Sequence, residues 1–211
     1  MAHRKALPKR LGRPPLGASI DTRKRITETA RVLFAERGFQ VTTNQMIAAE
    51  AGITTGALYH YFESKYSIYA AVFDDVQAVV YDRFEAVEIP NQTFVSRFEA
   101  MLDVAYDLNT EDPSLARLIG AARVDEQRDP DLRAVLRPVH EQRRGGFFGR
   151  LVELGVKTGE IDPSHRSLVQ ALLQIVLIGL TDAVSGNPVE HRVAIDGIKA
   201  LFEGKLLRAT N

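Results

Sequence analysis

The chain contains no cysteine and no tryptophan, and it has no excess of either charge: 27 Lys and Arg stand against 27 Asp and Glu in 211 residues. Without cysteine, disulfide frameworks and thiolate metal sites are both excluded. The five histidines show no metal-ligand spacing. We therefore expect a protein without a metal site, suited to a reducing cytoplasm.

Long hydrophobic runs are missing as well. The longest apolar stretch, residues 168–180, is interrupted by Gln170 and Gln174 and is shorter than the roughly 20 residues of a membrane-spanning helix. The first residues, MAHRKALPKRLGRPP, lack the apolar core of a secretory signal. Because 45% of the residues are hydrophobic, a packed core is still expected. These features predict a soluble cytoplasmic protein with no membrane partner.

No pattern typical of catalysis is present. The sequence has no nucleophile elbow, no phosphate-binding glycine loop and no pair of histidines four residues apart. Asp125 and Glu126 look like an exposed turn of charges rather than an acid–base pair. We predict that the protein is not an enzyme and needs no cofactor.

The balanced total charge hides an uneven distribution. Residues 1–65 hold 11 Lys and Arg and 5 Asp and Glu, for a net charge of +6. The remaining residues hold 16 basic and 22 acidic side chains, for a net charge of −6. This division predicts that the N-terminal end faces a polyanion such as DNA, while the acidic remainder is repelled by phosphate.

Residues 43–65, TNQMIAAEAGITTGALYHYFESK, carry two short helical patterns joined by a glycine. Thr43 is a good N-cap for the first helix, because its hydroxyl accepts from a free backbone N–H. Gly52 is suited to the left-handed conformation that closes a helix. Thr54 or Thr55 then caps the second helix. The pattern predicts a helix-turn-helix.

The second helix of this pair is the predicted reader of DNA. Small residues in its first turn let the backbone approach base edges in a major groove, and the aromatic residues that follow can reach phosphates. In order, these residues are Thr54, Thr55, Gly56, Ala57, Tyr59, His60 and Tyr61.

The pattern Thr-x-x-x-Ile-Ala-x-x-Ala-Gly-Ile-Thr-x-Gly-x-Leu-Tyr-x-Tyr-Phe-x-x-Lys closely resembles the DNA-binding signature of the TetR family of transcriptional repressors. The resemblance covers roughly residues 20–75. It implies phosphate contacts by Thr43, Tyr59, Tyr61 and Lys65, and it places Gln45, Thr54, Thr55, Gly56 and His60 nearest the bases.

Some residues of the signature have competing interpretations. Phe62 is expected in the core, whereas Tyr59 is left open between a packed ring and a phosphate contact. Met46 stands where the family often has an acidic residue, so the first helix is expected to lack a reciprocal capping box.

The chain is predicted to divide into a flexible basic arm (1–19), a helix-turn-helix domain (20–66) and a helical domain for effector binding and dimerisation (67–211). Within the arm, Arg13 lies in a Gly-Arg-Pro core that resembles the AT-hook peptides of the minor groove. A solvated basic tail is the alternative. A first helix from 22 to 37, capped by Asp21 and stopped by Gly38, is expected to support the reading pair.

The rest of the chain has no strand pattern, so the fold class is all-α. A long helix is expected from Ser64 toward Pro90, and it joins the two domains. Two adjacent glycines, Gly145 and Gly146, predict a kink or break in the helix that contains them. The other predicted helices lie at residues 92–109, 113–125, 130–157, 164–185 and 189–207.

The resemblance also implies a homodimer and an effector pocket. Residues 168–180, with Val193, Ile198, Ala200 and Leu201, are expected to pack against a second copy as a four-helix bundle, although an intramolecular core remains open. Helices that line the pocket in the family place six candidate ligand contacts there: Phe98, Met101, Arg123, His140, Phe147 and Gln174.

These expectations combine into a homodimeric repressor that leaves its double-stranded DNA operator when a small molecule binds. Two alternatives stay open. One is an architectural or activating DNA-binding protein without an effector. The other is a small-molecule carrier or enzyme that keeps a vestigial DNA-binding end.

Overall fold

The computed structural model describes residues 16–89, 92–183 and 187–206, and every regular element among them is helical. The predicted all-α fold class is therefore confirmed. The α-helices are α1 Leu16–Val41, α2 Asn44–Glu50, α3 Thr55–Leu58, α4 Lys65–Glu85, α5 Phe94–Glu111, α6 Pro113–Arg128, α7 Pro130–Val139, α8 Gly146–Thr158, α9 Arg166–Ala183 and α10 Pro188–Phe202.

The first helix begins earlier than predicted, at Leu16 rather than after Asp21. Asp21 is an exposed residue inside α1 and not its cap. The five residues from Leu16 contain no proline, so nothing in them prevents helix. Arg13 and most of the predicted arm lie outside the described residues.

Gly38 interrupts α1 as predicted, with φ 75° and ψ 172°. This left-handed conformation turns the chain so that Phe39 enters the core, where it is 2% exposed. Thr42, fully buried, donates its hydroxyl to the carbonyl oxygens of Leu33 (3.2 Å) and Gly38 (2.9 Å). The turn that leads into the helix-turn-helix is thus fixed by its own polar groups.

The predicted caps of the helix-turn-helix are confirmed. Thr43 Oγ1 accepts from the Met46 amide at 3.2 Å, without a reciprocal bond from Met46. Gly52 has φ 66°. Thr54, rather than Thr55, caps α3 by accepting from the Ala57 amide at 3.1 Å. Sequence alone therefore placed both short helices.

Each of the six helices predicted after the helix-turn-helix starts within two residues of its predicted position. The helix expected over 130–157 differs in form, because residues 140–145 are π-helical between α7 and α8. Pro138 lies inside α7 and lacks the N–H that a regular turn would use. The predicted break at Gly145 and Gly146 is instead a widened turn that ends there.

A single apolar core runs along α4 and links the helix-turn-helix to the helices that follow. Tyr69 packs on Phe34 and Phe39 at centroid distances of 4.6 and 5.3 Å, and Phe62 is 4% exposed, as predicted. Further along α4, Tyr81 packs on Phe147. Among the described residues, no helix combines the length and apolar character that a bilayer crossing requires.

Candidate nucleic-acid interface and internal cavity

Most of the predicted DNA contacts are accessible to a partner. Tyr59 is 54% exposed and its hydroxyl accepts from Asn44 Nδ2 at 3.1 Å, so the ring is not part of the core. That bond ties the start of α2 to the end of α3. Thr43, Gln45, Thr54, Gly56 and His60 are exposed as well, whereas Thr55 and Tyr61 are half-buried.

Lys65 has a structural role that the sequence did not reveal. Its ammonium donates to the carbonyl oxygens of Phe39 (2.7 Å) and Thr42 (3.0 Å) and lies 4.2 Å from the centroid of the Phe39 ring. Burial lowers the pKa of Lys65, while the negative charges of Asp125 and Asp129 oppose that shift. The phosphate contact of Lys65 stays a prediction, but its ammonium already holds the end of α1.

Two arginines of α1 serve the same purpose elsewhere in the domain. Arg25 Nε donates to the carbonyl of Ala51 at 3.0 Å, where α2 ends. Arg23 donates to the carbonyl of Tyr61 at 3.0 Å and lies 4.2 Å from the centroid of the Phe62 ring. Cations thus stabilise carbonyl groups that helix termini leave without partners.

The positive charge of the N-terminal end is concentrated before the described helices. Residues 20–65 hold six Lys and Arg and five Asp and Glu, a net charge of +1. The other five basic residues of the first 65 precede residue 20. The folded reading domain alone is therefore nearly neutral.

Two carboxylates at the end of α6 attach this domain to the rest of the molecule. We call Asp125 and Asp129 the junction carboxylates. Asp125 Oδ2 accepts from the Phe39 amide at 2.9 Å and from the Tyr69 hydroxyl at 3.2 Å. Asp125 is 7% exposed, so its predicted place in an exposed turn is wrong. Asp125 is buried because the turn after Gly38 lies over its carboxylate.

The second junction carboxylate has four partners. Asp129 Oδ2 accepts from Gln40 Nε2 and from the Tyr66 hydroxyl, both at 3.1 Å. Its Oδ1 caps α7 by accepting from the amides of Asp131 (3.1 Å) and Leu132 (3.0 Å). The Leu132 amide and the other donors hold the pKa of Asp129 below its usual range. The group is therefore ionised at neutral pH.

A cavity of about 450 Å³ lies beyond the junction, lined by α4, α5, α6, α9, the π-helical turn and one residue each of α7 and α10. Three of the six predicted ligand contacts, Arg123, His140 and Gln174, line it. The polar lining residues that were not predicted as ligand contacts include Gln77, Asn109, Glu126, Gln127, Arg133, Arg144, Thr181 and His191.

The other three predicted ligand contacts lie in the core beside the cavity and not in its wall. Phe98 is fully buried and packs on Phe202 at a centroid distance of 4.8 Å, and Met101 is 1% exposed. Phe147 lies behind two residues of the wall, Tyr81 and Phe84, at 5.4 and 5.6 Å. Phe98, Met101 and Phe147 therefore do not line the cavity.

Among the residues that the structure describes, several buried polar atoms of the wall have no hydrogen-bond partner. Glu126 Oε1 lies 2.9 Å from His140 Nε2. The other ring nitrogen of this histidine, Nδ1, is unpaired. Gln77 Oε1 and His191 Nδ1 are unpaired too, and both residues are at least 96% buried. Such groups are costly unless something hydrogen-bonds them. A bound molecule with suitable donors and acceptors would satisfy these groups.

Comparison with known proteins now identifies the family. The family model described as "Bacterial regulatory proteins, tetR family" matches residues 26–72, the segment that contains α2, α3 and their caps. Residues 26–72 belong to the TetR family. This confirms the resemblance on which the predicted interface depends.

Two curated relatives illustrate how far the sequence similarity of this chain extends. The nucleoid occlusion factor SlmA of Pasteurella multocida is 30% identical over 141 residues, which is 65% of each chain. The transcriptional regulator UidR of Escherichia coli is 25% identical over 187 residues, covering 88% of this chain and 93% of that protein. The matched part therefore spans about two thirds of the first relative and nearly all of the second.

Two solved structures illustrate how widely the fold is shared. GusR of Salmonella enterica has a TM-score of 0.74 at 21% identity, covering 94% of this chain and 99% of that one. FadR of Bacillus subtilis, solved with stearoyl-CoA, has a TM-score of 0.75 at 18% identity, covering 87% and 99%. At such identities the likeness shows the fold alone.

The carbonyl contacts of Lys65 lead to a first prediction for this TetR family domain. Lys65→Ala leaves two carbonyl groups without their charged donor, so we expect the free energy of unfolding to fall by about 1.5–3 kcal/mol. Lys24→Ala is the control, since Lys24 is 73% exposed and forms only a 3.8 Å ion pair with Glu28. Urea denaturation measures both. Equal losses for the two variants would contradict the structural role of Lys65.

The junction carboxylates lead to a second prediction. Asp125→Ala leaves the Phe39 amide and the Tyr69 hydroxyl buried without an acceptor, so we expect a loss of about 1–3 kcal/mol in the free energy of unfolding. The Phe39 amide should also exchange its hydrogen faster. Asp131→Ala, at an exposed carboxylate of α7, is the control. Unchanged protection of the Phe39 amide would show that Asp125 does not hold the turn.

Proposed function

We propose that this protein is a transcriptional repressor that binds its operator as a homodimer and is released by a small molecule in the internal cavity. The observation that carries the proposal is the position of the end of α6. There Asp125 holds the turn before the helix-turn-helix, while the next residue, Glu126, lines the cavity. A ligand that moves Glu126 therefore acts one residue away from the contact that positions the reading domain.

The DNA contacts of this proposal follow the exposure of the residues. Thr43, Tyr59 and Tyr61 contact phosphates and fix the register on the duplex. The exposed residues nearest the bases are Gln45, Thr54, Gly56 and His60, with the half-buried Thr55 between them. Because the folded domain carries a net charge of only +1, the basic residues before it supply most of the electrostatic attraction, and Arg13 remains a proposed minor-groove contact.

Homodimer formation is supported by an apolar surface on the last two helices. Leu168 and Ile175 of α9 are 65% and 66% exposed, and Val189 and Val193 of α10 are 71% and 67% exposed. Adjacent exposed apolar residues are Leu172, Ile178 and Leu201. Clustered apolar side chains of this size usually mark an interface. We define this set as the α9–α10 face and assign it to a second copy of the chain.

The effector is supported by the polar atoms that the cavity leaves unpaired. Gln77 Oε1, His140 Nδ1 and His191 Nδ1 all belong to its wall. A volume of about 450 Å³ lies within the range of about 300–1,000 Å³ typical of small-molecule sites. The structure of Bacillus subtilis FadR with stearoyl-CoA supports the view that a chain of this fold accommodates a ligand.

A second candidate function is DNA binding without an effector. It is favoured by the similarity to SlmA of Pasteurella multocida, which is named a nucleoid occlusion factor. The two candidates differ in what the cavity does. Under the second, no compound that binds the cavity changes the affinity for DNA.

A mobility-shift assay with DNA from upstream of the protein's own gene tests the main proposal. The full-length chain should shift this fragment, and Tyr59→Ala should weaken binding to specific and nonspecific DNA by a similar factor, because a phosphate contact carries no sequence information. The free energy of unfolding should change by less than about 0.5 kcal/mol, since the side chain is exposed.

Tyr59→Phe is the matched control in this assay, because it removes only the hydroxyl and keeps the ring. We expect an effect between those of wild type and Tyr59→Ala. The proposal fails if the wild-type chain shifts no fragment. The assignment of Tyr59 fails if Tyr59→Ala binds DNA as tightly as wild type.

Disruption of the α9–α10 face tests the homodimer. Ile175→Lys places a charge in the proposed interface, so we expect a monomer in sedimentation at micromolar concentration, together with loss of operator binding. Val79→Lys is the control, because Val79 is 46% exposed on α4, away from this face. A wild-type chain that sediments as a monomer would contradict the homodimer, as would an Ile175→Lys variant that remains dimeric.

A further inference from the structure

We propose that the cavity selects an amphipathic organic acid, with its carboxylate held by Arg144 and its apolar body against α4, α5 and α9. This inference rests on the proposed function, because it takes the cavity as the effector site. It adds the chemical class of the effector.

The charged side chains of the cavity wall come from α6, α7 and the π-helical turn. Glu126 is the centre of this group: His140 Nε2 lies 2.9 Å from its carboxylate, and Arg133 donates to its carbonyl at 2.8 Å. Arg123 precedes Glu126 by one turn of α6, and Arg144 follows His140 on the π-helical turn. All five residues line the cavity.

This part of the wall carries more positive than negative charge. Leaving Arg123 aside, two guanidinium groups, those of Arg133 and Arg144, share the described cavity wall with one carboxylate, that of Glu126, which already interacts with His140. Elsewhere in the wall, burial lowers the pKa of His191, so this ring is neutral at pH 7. A cationic ligand would meet repulsion from the arginines, whereas an anion would balance the excess charge.

Arg144 differs from Arg133, whose guanidinium donates to the carbonyl of Glu126. Arg144 is half-buried, and within the described part of the chain no carboxylate or carbonyl lies within hydrogen-bonding distance of it. Burial raises the pKa of Tyr81, a residue of the cavity wall, and the positive charge of Arg144 opposes that shift. A partly buried charge is stabilised further when a group of opposite charge pairs with it. The planar guanidinium fork matches a carboxylate with two parallel hydrogen bonds.

The remainder of the wall suits an apolar body. Away from the arginines the cavity is lined by aliphatic and aromatic side chains of α4, α5, α6 and α9, among them Val80, Phe84, Leu108, Ile119 and Leu177. Burial of alkyl or aryl groups there contributes roughly 25 cal/mol per Å² of apolar area. A ligand with an acid at one end and a hydrocarbon body therefore satisfies both parts of the cavity wall.

Calorimetric titration of the purified full-length chain with matched probes tests this assignment. The probes are decanoate, decanol and decylamine, with naphthoate and naphthylmethanol as an aromatic pair. We expect at least one acid to bind about 10-fold or more tightly than its matched alcohol, and we expect decylamine to bind more weakly than either. The proposal is overturned if neither acid binds, if the alcohols bind as tightly as the acids, or if the amine is preferred.

Substitutions assign the effect to Arg144. Arg144→Gln should bring acid binding down to the level of the alcohol, and Arg144→Lys should restore only part of the preference, because lysine keeps the charge but not the planar fork. Arg137→Gln, at an exposed position of α7 outside the cavity wall, should leave the preference unchanged. An acid preference that survives in Arg144→Gln would overturn the role of this residue.

The titration contains no DNA, so it separates this inference from the proposed function. If an acid binds but does not release the protein from DNA, the effector-released repressor fails and the ligand class stands. If the protein binds DNA but its cavity shows no preference for acids, only the inference fails.

Discussion

The contact on which the structure depends is between the junction carboxylates and the turn after Gly38. One carboxylate of α6 accepts from the Phe39 amide, and its neighbour one turn later accepts from Gln40 and Tyr66. A carboxylate that is withdrawn from water requires such donors, so neither side of this contact is stable alone. Any displacement of the end of α6 must therefore carry the turn with it or break several hydrogen bonds.

This constraint explains why one helix serves both the reading domain and the cavity. Successive residues of an α-helix point in directions about 100° apart, so Asp125 and Glu126 face different surroundings. Asp125 faces the turn that leads to α2, and Glu126 faces the cavity and His140. The π-helical turn that contains His140 is a feature often found at functional sites, and here it completes the cavity wall. The proposed coupling between the cavity and the helix-turn-helix thus needs no long chain of intermediate contacts.

Local chemistry was sufficient to predict the helix-turn-helix. Thr43, Thr54, Gly52 and Gly38 act through groups a few residues away, so their roles can be derived from the sequence itself. Asp125 was placed in an exposed turn because its partner, the Phe39 amide, lies 86 residues earlier in the chain. Likewise, nothing local indicates that the ammonium of Lys65 reaches two carbonyls more than 20 residues before it.

The cavity was less predictable than the interface for a similar reason. An apolar residue on a helix suits a core and a cavity wall equally, so Phe98, Met101 and Phe147 could not be distinguished from true lining residues by type. The polar lining residues that were not predicted become recognisable only when burial is known. Gln77 is the clearest example, since glutamine is usually exposed but is 4% exposed here.

The most direct test of this account is a hydroxyl-radical footprint of the full-length chain on DNA from upstream of its gene. A two-fold dimer with one reading helix per subunit should protect two related half-sites on one face of the duplex, with centres about 34 Å apart or somewhat more. Protection of a single half-site, or uniform protection along the fragment, would contradict it, because one short helix offers too few base contacts for a specific site.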